Sequence, residues 1–304
     1  MIKNFEELTA AASAAGAKRV VVVNPNNAET FLAIRNMIDR RLARPVLVGD
    51  AAAISAALPD LHDFDVHPAG SVAESLRGAV GLIREGKGDI LLKGGVDTST
   101  MMREVLREES GLRTGRLLSD IFILEFPPRR DNRFIMITDG GMTLAPDLGN
   151  KVELIRNAVD VAHALGNMNP KVAVLSATEF VLPNLPSTID AAALSKMNER
   201  GQIKGCIVDG PFGLDNAISE DAASEKAIAS RVAGHAEILI AANIESANSL
   251  AKSTTFFAGL RLAHVIVGAR VPILIPSRAD KSDAKVLSVA LGVIMADYYS
   301  RTRD

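Results

Sequence analysis

The stretch VPILIPSRADKSDAKVLSVALGVIMA (Val271–Ala296) joins a buried strand to a long helix and predicts the architecture of the chain. It opens with an apolar run that ends at Pro276, continues through a short polar segment, and closes with a helical pattern. An apolar run without alternation is typical of a strand that is covered on both faces of a parallel sheet. The same succession recurs along the chain, so the sequence predicts an α/β protein with doubly wound sheets.

The predicted strands are short and rich in Val, Ile and Leu. They are Arg19–Asn24, Pro45–Asp50, Asp89–Gly95, Ile121–Phe126, Phe134–Asp139, Lys171–Ala177, Gly205–Phe212, Glu237–Asn243 and His264–Ile275. The predicted helices lie between them, at Ala28–Ala43, Ser71–Glu85, Lys151–Leu165, Ala191–Arg200, Glu220–Ala233, Ser246–Ala263 and Lys281–Tyr298. The hydrophilic segment Pro127–Arg133 is predicted to be a hinge or the tip of a hairpin. Ligands of such folds bind at the carboxyl ends of the strands, so the residues that follow each strand are the candidates for a site.

The composition of the 304 residues is that of a globular protein without a nucleic-acid partner. Hydrophobic residues make up 48% and charged residues 23%, which is enough apolar material for a substantial core. The net charge of −2 and the absence of Trp leave no basic excess for phosphates and few platforms for stacking bases. The single cysteine, Cys206, fits a reducing cytoplasm. An acidic N-terminal region and the lack of a run of about 18 apolar residues predict neither a signal peptide nor a membrane span.

The polar segment PSRADKSDAK has the residue types of a phosphate-binding site. Ser277, Asp280 or Ser282 is suited to cap the helix that follows, since each offers an oxygen to the unpaired N–H groups there. Capping does not explain Arg278, because a guanidinium is unfavourable at the positive end of a helix unless it faces an anion. A helix N-terminus, a hydroxyl and a guanidinium together predict a phosphate site. Asp280 and Asp283 supply carboxylates nearby that are able to take a proton.

A second segment with anion-binding character is KGGVDTST (Lys93–Thr100), a Gly-Gly turn that opens a helix. Its backbone N–H groups and the hydroxyls of Thr98, Ser99 and Thr100 suit an anion or a carbonyl oxygen. The alternative is an ordinary helix start that is capped by Asp97 or Thr98. The sequence contains no GxGxxG or GxxxxGK[ST] motif after a strand and no GxSxG elbow. It therefore does not predict nucleotide binding or a serine hydrolase.

The remaining candidate groups are weaker. No metal site is predicted, because the histidines have no metal-ligand spacing; they are His62, His67, His163, His235 and His264. Cys206 lies in an apolar run and is predicted to be an unreactive buried thiol. The acids that follow strands are suited either to line a cleft or to form turns; they are Asp139, Asp209 and Asp215. Arg113 or Arg116 is suited to reach a polyanionic ligand.

Taken in order, a set of segments resembles the phosphate acetyl/butyryltransferase family. They are LLKGGVDTSTMMREVL, GLRTGRLLSDIFILEFP, FIMITDGGMTLAPD, PKVAVLSATE, GCIVDGPFGLDNAIS, ILIAANIESANSLAK and ILIPSRADKSDAKVLSVALG. The resemblance runs from Leu91 to Ala296, and the short chain is most similar to the phosphate butyryltransferase branch. It implies reversible acyl transfer, in which acyl-CoA and inorganic phosphate give acyl phosphate and CoA. It also implies no prosthetic group, a CoA thioester as co-substrate, and a homodimer or larger homo-oligomer without a membrane partner.

The resemblance also implies roles for residues of both polar segments. The catalytic Ser-Arg pair of the family matches Ser277 and Arg278. The acid that takes the thiol proton is assigned to Asp283, with Asp280 as the alternative and as a candidate substrate-binding residue. In acetyl-specific members this acid lies seven residues after the Ser, a position that is Ala284 here.

The Gly-turn segment is the second part of the implied site. It places Gly95 and Thr98 near the acyl phosphate, and Arg116 matches an arginine near CoA or phosphate. The implied architecture has two α/β domains and an interdomain cleft, as in isocitrate and isopropylmalate dehydrogenase-like enzymes. The domains are expected at residues 1–128 plus 268–304 and at residues 129–267.

Two other functions are compatible with this fold. The first is a metal-dependent dehydrogenase of the isocitrate/isopropylmalate dehydrogenase-like fold, which needs a divalent metal and paired aspartates on one helix. The segment DGPFGLDNA offers only Asp209 and Asp215 for that purpose. The second is a catalytically silent binding protein, which the intact pair of Ser277 and Arg278 argues against.

Overall fold

The chain divides into two compact units. The computed structural model describes residues 1–60, 62, 64–126, 133–276 and 282–302. Unit 1 comprises Met1–Asn4 and Leu117–Leu262, and unit 2 comprises Phe5–Arg116 and Ala263–Asp304. The domain boundaries expected from the sequence, at residues 128/129 and 267/268, stay a prediction.

Unit 2 is built on a mostly parallel sheet. Its strands are β1 (Lys18–Val23), β2 (Ala43–Gly49), β3 (Asp65–Pro68), β4 (Ile90–Lys93), β10 (Leu262–Val267) and β11 (Ile273–Leu274). They lie in the order β3-β2-β1-β4-β11-β10. The first five of these run parallel to their neighbours, whereas β10 is antiparallel to β11. The valines at positions 20 to 23 of β1 are fully buried, as expected for a strand covered on both faces.

Six α-helices lie in the described part of unit 2. They are α1 (Phe5–Ala14), α2 (Ala28–Asp39), α3 (Ala51–Ala57), α4 (Val72–Arg84), α5 (Thr98–Leu106) and α11 (Ser282–Thr302). Helices α2, α3, α4 and α5 begin with polar side-chain caps. Asn27 caps α2 and Ser71 caps α4 through side-chain oxygens that accept backbone N–H groups. Helix α11 approaches the sheet closely at Gly292, where an added Cβ would lie 3.2 Å from a methyl group of Leu274.

Among the described residues, unit 1 contains the other five strands and five helices. Its strands are β5 (Ser119–Glu125), β6 (Phe134–Thr138), β7 (Lys171–Leu175), β8 (Ile207–Phe212) and β9 (Ile238–Ile240), and its helices are α6 (Leu148–Ala164), α7 (Pro186–Glu199), α8 (Leu214–Ile218), α9 (Glu220–Glu225) and α10 (Ile244–Phe256). The strand order is β5-β6-β9-β7-β8. Strands β6, β9, β7 and β8 are parallel, and β5 is antiparallel to β6.

The predicted α/β class is confirmed, and every predicted strand overlaps an observed one. Two neighbouring pairs, β5–β6 and β10–β11, are antiparallel within the mostly parallel arrangement. The predicted strand His264–Ile275 is split because Gly268, with φ +99°, turns the chain within the apolar run. The predicted helix Glu220–Ala233 ends at Glu225, just before Ala227, which has a positive φ.

Four elements were not predicted: α1, α3, α8 and β3. The segment Pro127–Arg133, predicted to be a hinge or hairpin tip, lies outside the described residues except for Arg133. The strands on either side of it pair antiparallel, with Glu125 opposite Phe134. Among the residues that the structure describes, no helix is both long and apolar enough to cross a membrane.

Candidate active site

The strand order of unit 2 reverses at β1. Strands β2 and β3 lie on one side of β1, whereas β4, the next strand along the chain, lies on its other side. Val23 and Lys93, the last residues of β1 and β4, are register partners. The loops that follow them, residues 24–27 and 94–97, therefore leave the sheet at the position where open α/β sheets bind their ligands.

These two loops are in direct contact. The N–H of Gly94 donates to the carbonyl of Val23 over 3.0 Å and the N–H of Gly95 donates to the carbonyl of Asn24 over 2.7 Å. The side-chain amide of Asn24 donates back to the carbonyl of Gly95 over 2.9 Å. Side chains at the two glycines would clash, with the Val23 carbonyl oxygen at Gly94 and with the Asn26 side chain at Gly95. The Gly-Gly turn is thus required by the close approach of the loop after β1.

Helix α5 starts directly after this turn, and its cap settles one question that the sequence left open. The carboxylate of Asp97 accepts hydrogen bonds from the Thr100 N–H over 2.9 Å and from the Ser99 hydroxyl over 2.7 Å. Hydrogen bonds from Thr100 and Ser99 hold the pKa of Asp97 well below its usual range. The cap is therefore Asp97 and not Thr98. The hydroxyl of half-buried Thr98 instead accepts a hydrogen bond of 3.3 Å from the ammonium of Lys93.

The first turn of α11 reaches the same end of the sheet. Asp283 lies in that turn and is partly buried. Lys285, with 7% of its side chain exposed, lies 3.4 Å from the carboxylate of Glu29. Glu29 is in the first turn of α2, which follows β1. The other predicted residues of this segment lie outside the described residues; they are Ser277, Arg278 and Asp280.

Arg116 lies elsewhere in unit 2. Its N–H donates to the hydroxyl of Thr114, which in turn donates to the carbonyl of Gly268. Gly268 follows β10, and because β10 is antiparallel to β11, this contact is at the end of the sheet where β11 begins. The structure brings Gly95 and Thr98 together at the carboxyl end of β4, and it places the Arg116 backbone toward the opposite end.

Asp139, which follows β6, has the role of a turn residue. Its side chain is buried, and one oxygen accepts from the N–H groups of Asp120, Gly141 and Met142 at 3.0 to 3.1 Å. The other oxygen accepts from the N–H of Thr143 over 2.8 Å. Burial raises the pKa of Asp139 although backbone N–H groups act in the opposite direction. These contacts hold the loop that follows β6.

The other acids of unit 1 also have partners within the protein. Asp209 accepts hydrogen bonds from the hydroxyls of Ser195 and Ser230. Asp215 forms an ion pair of 3.1 Å with Lys226, and its hydrogen bond with Lys226 lowers the pKa of Asp215. Burial raises the pKa of Cys206 to about 11, as expected for an unreactive thiol. Across residues 1–60, 62, 64–126, 133–276 and 282–302, no group of three or more His, Cys, Asp or Glu side chains is arranged to hold a metal ion.

Sequence reasoning did not single out Lys93 or the contact made by loop 24–27. Lys93 stands between an apolar strand and a Gly-Gly turn, and a cation at the carboxyl end of a strand is a usable signal for an anion site. The contact between Asn26 and Gly95 carries no sequence signal, because it depends on which strands are neighbours.

Comparison with known proteins gives a consistent result. Residues 68–293 match the family described as Phosphate acetyl/butaryl transferase. Phosphate butyryltransferase of Clostridium beijerinckii is 40% identical over 300 residues, which cover 97% of this chain and 99% of the relative. Phosphate acetyltransferase of Thermotoga maritima is 41% identical over 288 residues, which cover 92% and 95%. The crystal structure of a branched-chain phosphotransacylase from Enterococcus faecalis V583 aligns with a TM-score of 0.83 at 27% identity, covering 92% of this chain and 99% of that one.

The fold is that of an α/β protein whose polar loops lie at a reversal of strand order, and the relatives are named as acyltransferases. The chain belongs to the phosphate acetyl/butyryl transferase family. The predicted family is confirmed, and the relatives favour an acyltransferase over the metal-dependent dehydrogenase.

Proposed function

We propose that this protein is a phosphate acyltransferase that moves a short acyl group, acetyl or butyryl, between CoA and inorganic phosphate. The reaction is acyl-CoA plus phosphate in equilibrium with acyl phosphate plus CoA. The observation that carries the proposal is the identity of 40% with a phosphate butyryltransferase over nearly the full length of both chains. The loops at the carboxyl ends of β1 and β4 support it, since their position suits an anionic substrate.

The proposed mechanism starts from the protonation state of CoA. A thiol with a pKa near 8.5 is mostly protonated at pH 7, so a carboxylate must take its proton. We assign this role to Asp283, with Asp280 as the alternative. The thiolate then attacks the carbonyl carbon of the acyl phosphate, a carbon–sulfur bond forms, and the bond to the phosphate oxygen breaks. Thr98 and Gly95 are the proposed contacts of the acyl phosphate. Arg116 is the proposed contact of CoA or phosphate, although its backbone lies toward the other end of the sheet.

Negative charge grows first on the carbonyl oxygen and then on the departing phosphate. In the proposed site the Ser277 hydroxyl donates to the carbonyl oxygen, and the Arg278 guanidinium binds two phosphate oxygens. A preorganised donor of this kind lowers the barrier by roughly 3 kcal/mol, about a hundredfold in rate. The reverse reaction uses the same groups in the opposite order.

The remaining parts of the proposal concern the partners of the enzyme. CoA and its thioester are co-substrates, and no prosthetic group takes part. The protein forms a homodimer or a larger homo-oligomer and binds neither nucleic acid nor membrane. We place it in the cytoplasm, which its single cysteine supports.

The direct test is an assay of thiol release from acetyl-CoA and butyryl-CoA, with and without inorganic phosphate. We expect release that requires phosphate, and the ratio of kcat/KM for the two thioesters gives the acyl preference. Release that is independent of phosphate, or no release from either thioester, would contradict the proposal.

Replacement of Arg278 tests the proposed phosphate contact. We expect Arg278→Gln to reduce kcat by about a hundredfold, because one charged donor to the leaving phosphate is lost. Circular dichroism and the melting temperature should stay at the wild-type values. Arg231→Gln removes the same charge from an exposed position in unit 1 and should leave kcat unchanged. Equal kinetics of the two variants would argue against a role for Arg278.

A further inference from the structure

We propose that Lys93 is a positioning residue. It orients the hydroxyl of Thr98 so that this hydroxyl donates a hydrogen bond to a phosphoryl oxygen of the substrate. This inference rests on the proposed function, because it concerns the acyl phosphate or inorganic phosphate of that reaction. It adds a residue that the sequence motifs left without a role.

The position of Lys93 is the first part of the argument. Lys93 is the last residue of β4 and is 8% exposed. Burial of an ammonium group is unfavourable unless hydrogen bonds or negative charge compensate for it. The ammonium of Lys93, at the end of a strand that is otherwise Ile and Leu, is therefore expected to interact with polar or negatively charged groups. It lies where the strand order reverses.

The hydrogen bond between Lys93 and Thr98 is the second part. An ammonium carries three donors and no acceptor, so in the contact of 3.3 Å the Thr98 oxygen must be the acceptor. The hydroxyl proton of Thr98 then points away from Lys93 and is available to an external acceptor. Asp97 already caps α5, and within the described parts of the chain the Thr98 hydroxyl has no acceptor of its own.

The third part is the chemistry of the ligand that would fit this arrangement. Thr98 is the first residue of α5, a helix of nine residues, and the N-terminal end of a helix favours negative charge. The ionised oxygens of an acyl phosphate or of inorganic phosphate are acceptors without a proton to give. A hydroxyl that can only donate, with an ammonium behind it, selects such oxygens over neutral groups that also donate.

A double-mutant cycle on Lys93 and Thr98 tests the inference. The variants are Lys93→Met, Thr98→Val and the combination of both, and the probe is inorganic phosphate, with its Kd measured by calorimetry. We expect each single variant to weaken binding by about tenfold, which is typical for one hydrogen bond to an anion. Because Lys93 acts only by orienting the Thr98 hydroxyl, the double variant should bind about as weakly as either single variant. Losses that multiply to about a hundredfold would overturn the coupling.

Two further variants separate positioning from folding. Thr98→Ser keeps the hydroxyl and should bind phosphate within about twofold of the wild type, since the donor is retained. Lys93→Leu, which also removes the donor, replaces Lys93→Met in the cycle if the latter does not fold. Lys151 is a matched control, because it is 4% exposed on its side chain and bonded to Asp190 over 2.6 Å in unit 1. Lys151→Met should lower the melting temperature and leave the Kd for phosphate unchanged.

Failure of this inference is distinct from failure of the proposed function. Thiol release that requires phosphate, combined with independent effects in the cycle, keeps the function and removes the role of Lys93. Coupled losses of phosphate binding without any thiol release keep the role of Lys93 in anion binding and remove the acyltransferase reaction. A wild-type protein that neither binds phosphate nor releases thiol contradicts both.

Discussion

At the scale of single residues, Gly94 governs how closely the loops after β1 and β4 approach each other. The obstacle to a side chain at this position is backbone, the carbonyl oxygen of Val23. A backbone atom in the middle of a sheet cannot rotate away as the end of a side chain can. The hydrogen bonds that bind Gly94 and Gly95 to the loop after β1 would have to lengthen to admit even one methyl group.

We therefore expect Gly94→Ala to lower the free energy of unfolding by about 1–3 kcal/mol, the usual range for overpacking. Gly81→Ala is the control, because Gly81 lies within α4 and an added Cβ there meets no atom within 4 Å. That change should be neutral or stabilising, since Ala favours helix over Gly by about 1 kcal/mol. Urea titrations of the two variants give the comparison. Equal midpoints for Gly94→Ala and the wild type would contradict the packing described.

At the scale of elements, β1 and β4 are joined at their start by an ion pair as well as along their backbones. Both oxygens of Asp89 accept from the Arg19 guanidinium, at 2.8 and 3.1 Å, and one also accepts from the Arg19 N–H over 2.8 Å. Burial raises the pKa of Asp89, but the hydrogen bonds from the Arg19 side chain and backbone outweigh it, so the pKa lies below the ordinary value.

This depressed pKa predicts a dependence of stability on pH. A carboxylate whose pKa is lower in the folded state stabilises the fold above its unfolded pKa, about 3.9, and loses that contribution as the pH falls through the folded value. We expect Asp89→Asn to be less stable than the wild type by about 1 kcal/mol at pH 7. The difference should shrink steadily below pH 4 in urea titrations. If the stability difference between Asp89→Asn and the wild type stays constant down to pH 2.5, the ion pair of Asp89 and Arg19 is not its source.

Buried strands were easier to predict from the sequence than exposed ones. The central strands of both units were identified because burial on both faces leaves continuous runs such as the valines of β1. Strand β3 was missed because it is mostly exposed at the edge of its sheet and contains Pro68. The β10–β11 turn was missed because Val267 and Ile273 stand on either side of a five-residue interruption, too short to separate two strands by composition alone.

The sequence predicted which segment forms part of the candidate site, but not the contacts within it. The Gly-turn segment was identified from its composition, and the structure confirms the helix that starts there. Which of Asp97 and Thr98 caps α5 required coordinates, since both residue types are good caps. The contact of Lys93 with Thr98 also depends on the path of the turn between them, which spacing alone does not report.

At the scale of the whole molecule, phosphate binding should be visible as a local effect in unit 2. Inorganic phosphate at 100 times its Kd stabilises the binding-competent state by about 2.7 kcal/mol. We expect slower hydrogen exchange in peptides that cover residues 94–102 and 24–30 when phosphate is added. Peptides that cover β7 in unit 1 serve as the internal reference. Protection that is absent from residues 94–102 would place the phosphate somewhere else.

The division of the chain into units could not be read from residue patterns. Strands and helices alternate with the same character in both units, and no composition shift marks Arg116 or Leu262. Only the resemblance to a known family predicted that one unit is formed by two separate segments of the chain. Pattern-based reasoning identifies strands well, but it does not report which strands become neighbours.

The position of β11 between β4 and β10 has a consequence for how the protein is made. Leu117–Leu262 leave the ribosomal exit tunnel before β11 and α11 do, because both elements follow in the chain. The strands of unit 1 are then complete, while β4 still has an open edge with apolar Leu91 and Leu92. An open edge of this kind is prone to join other strands, so newly made chains should depend on chaperones until residue 302 has left the exit tunnel.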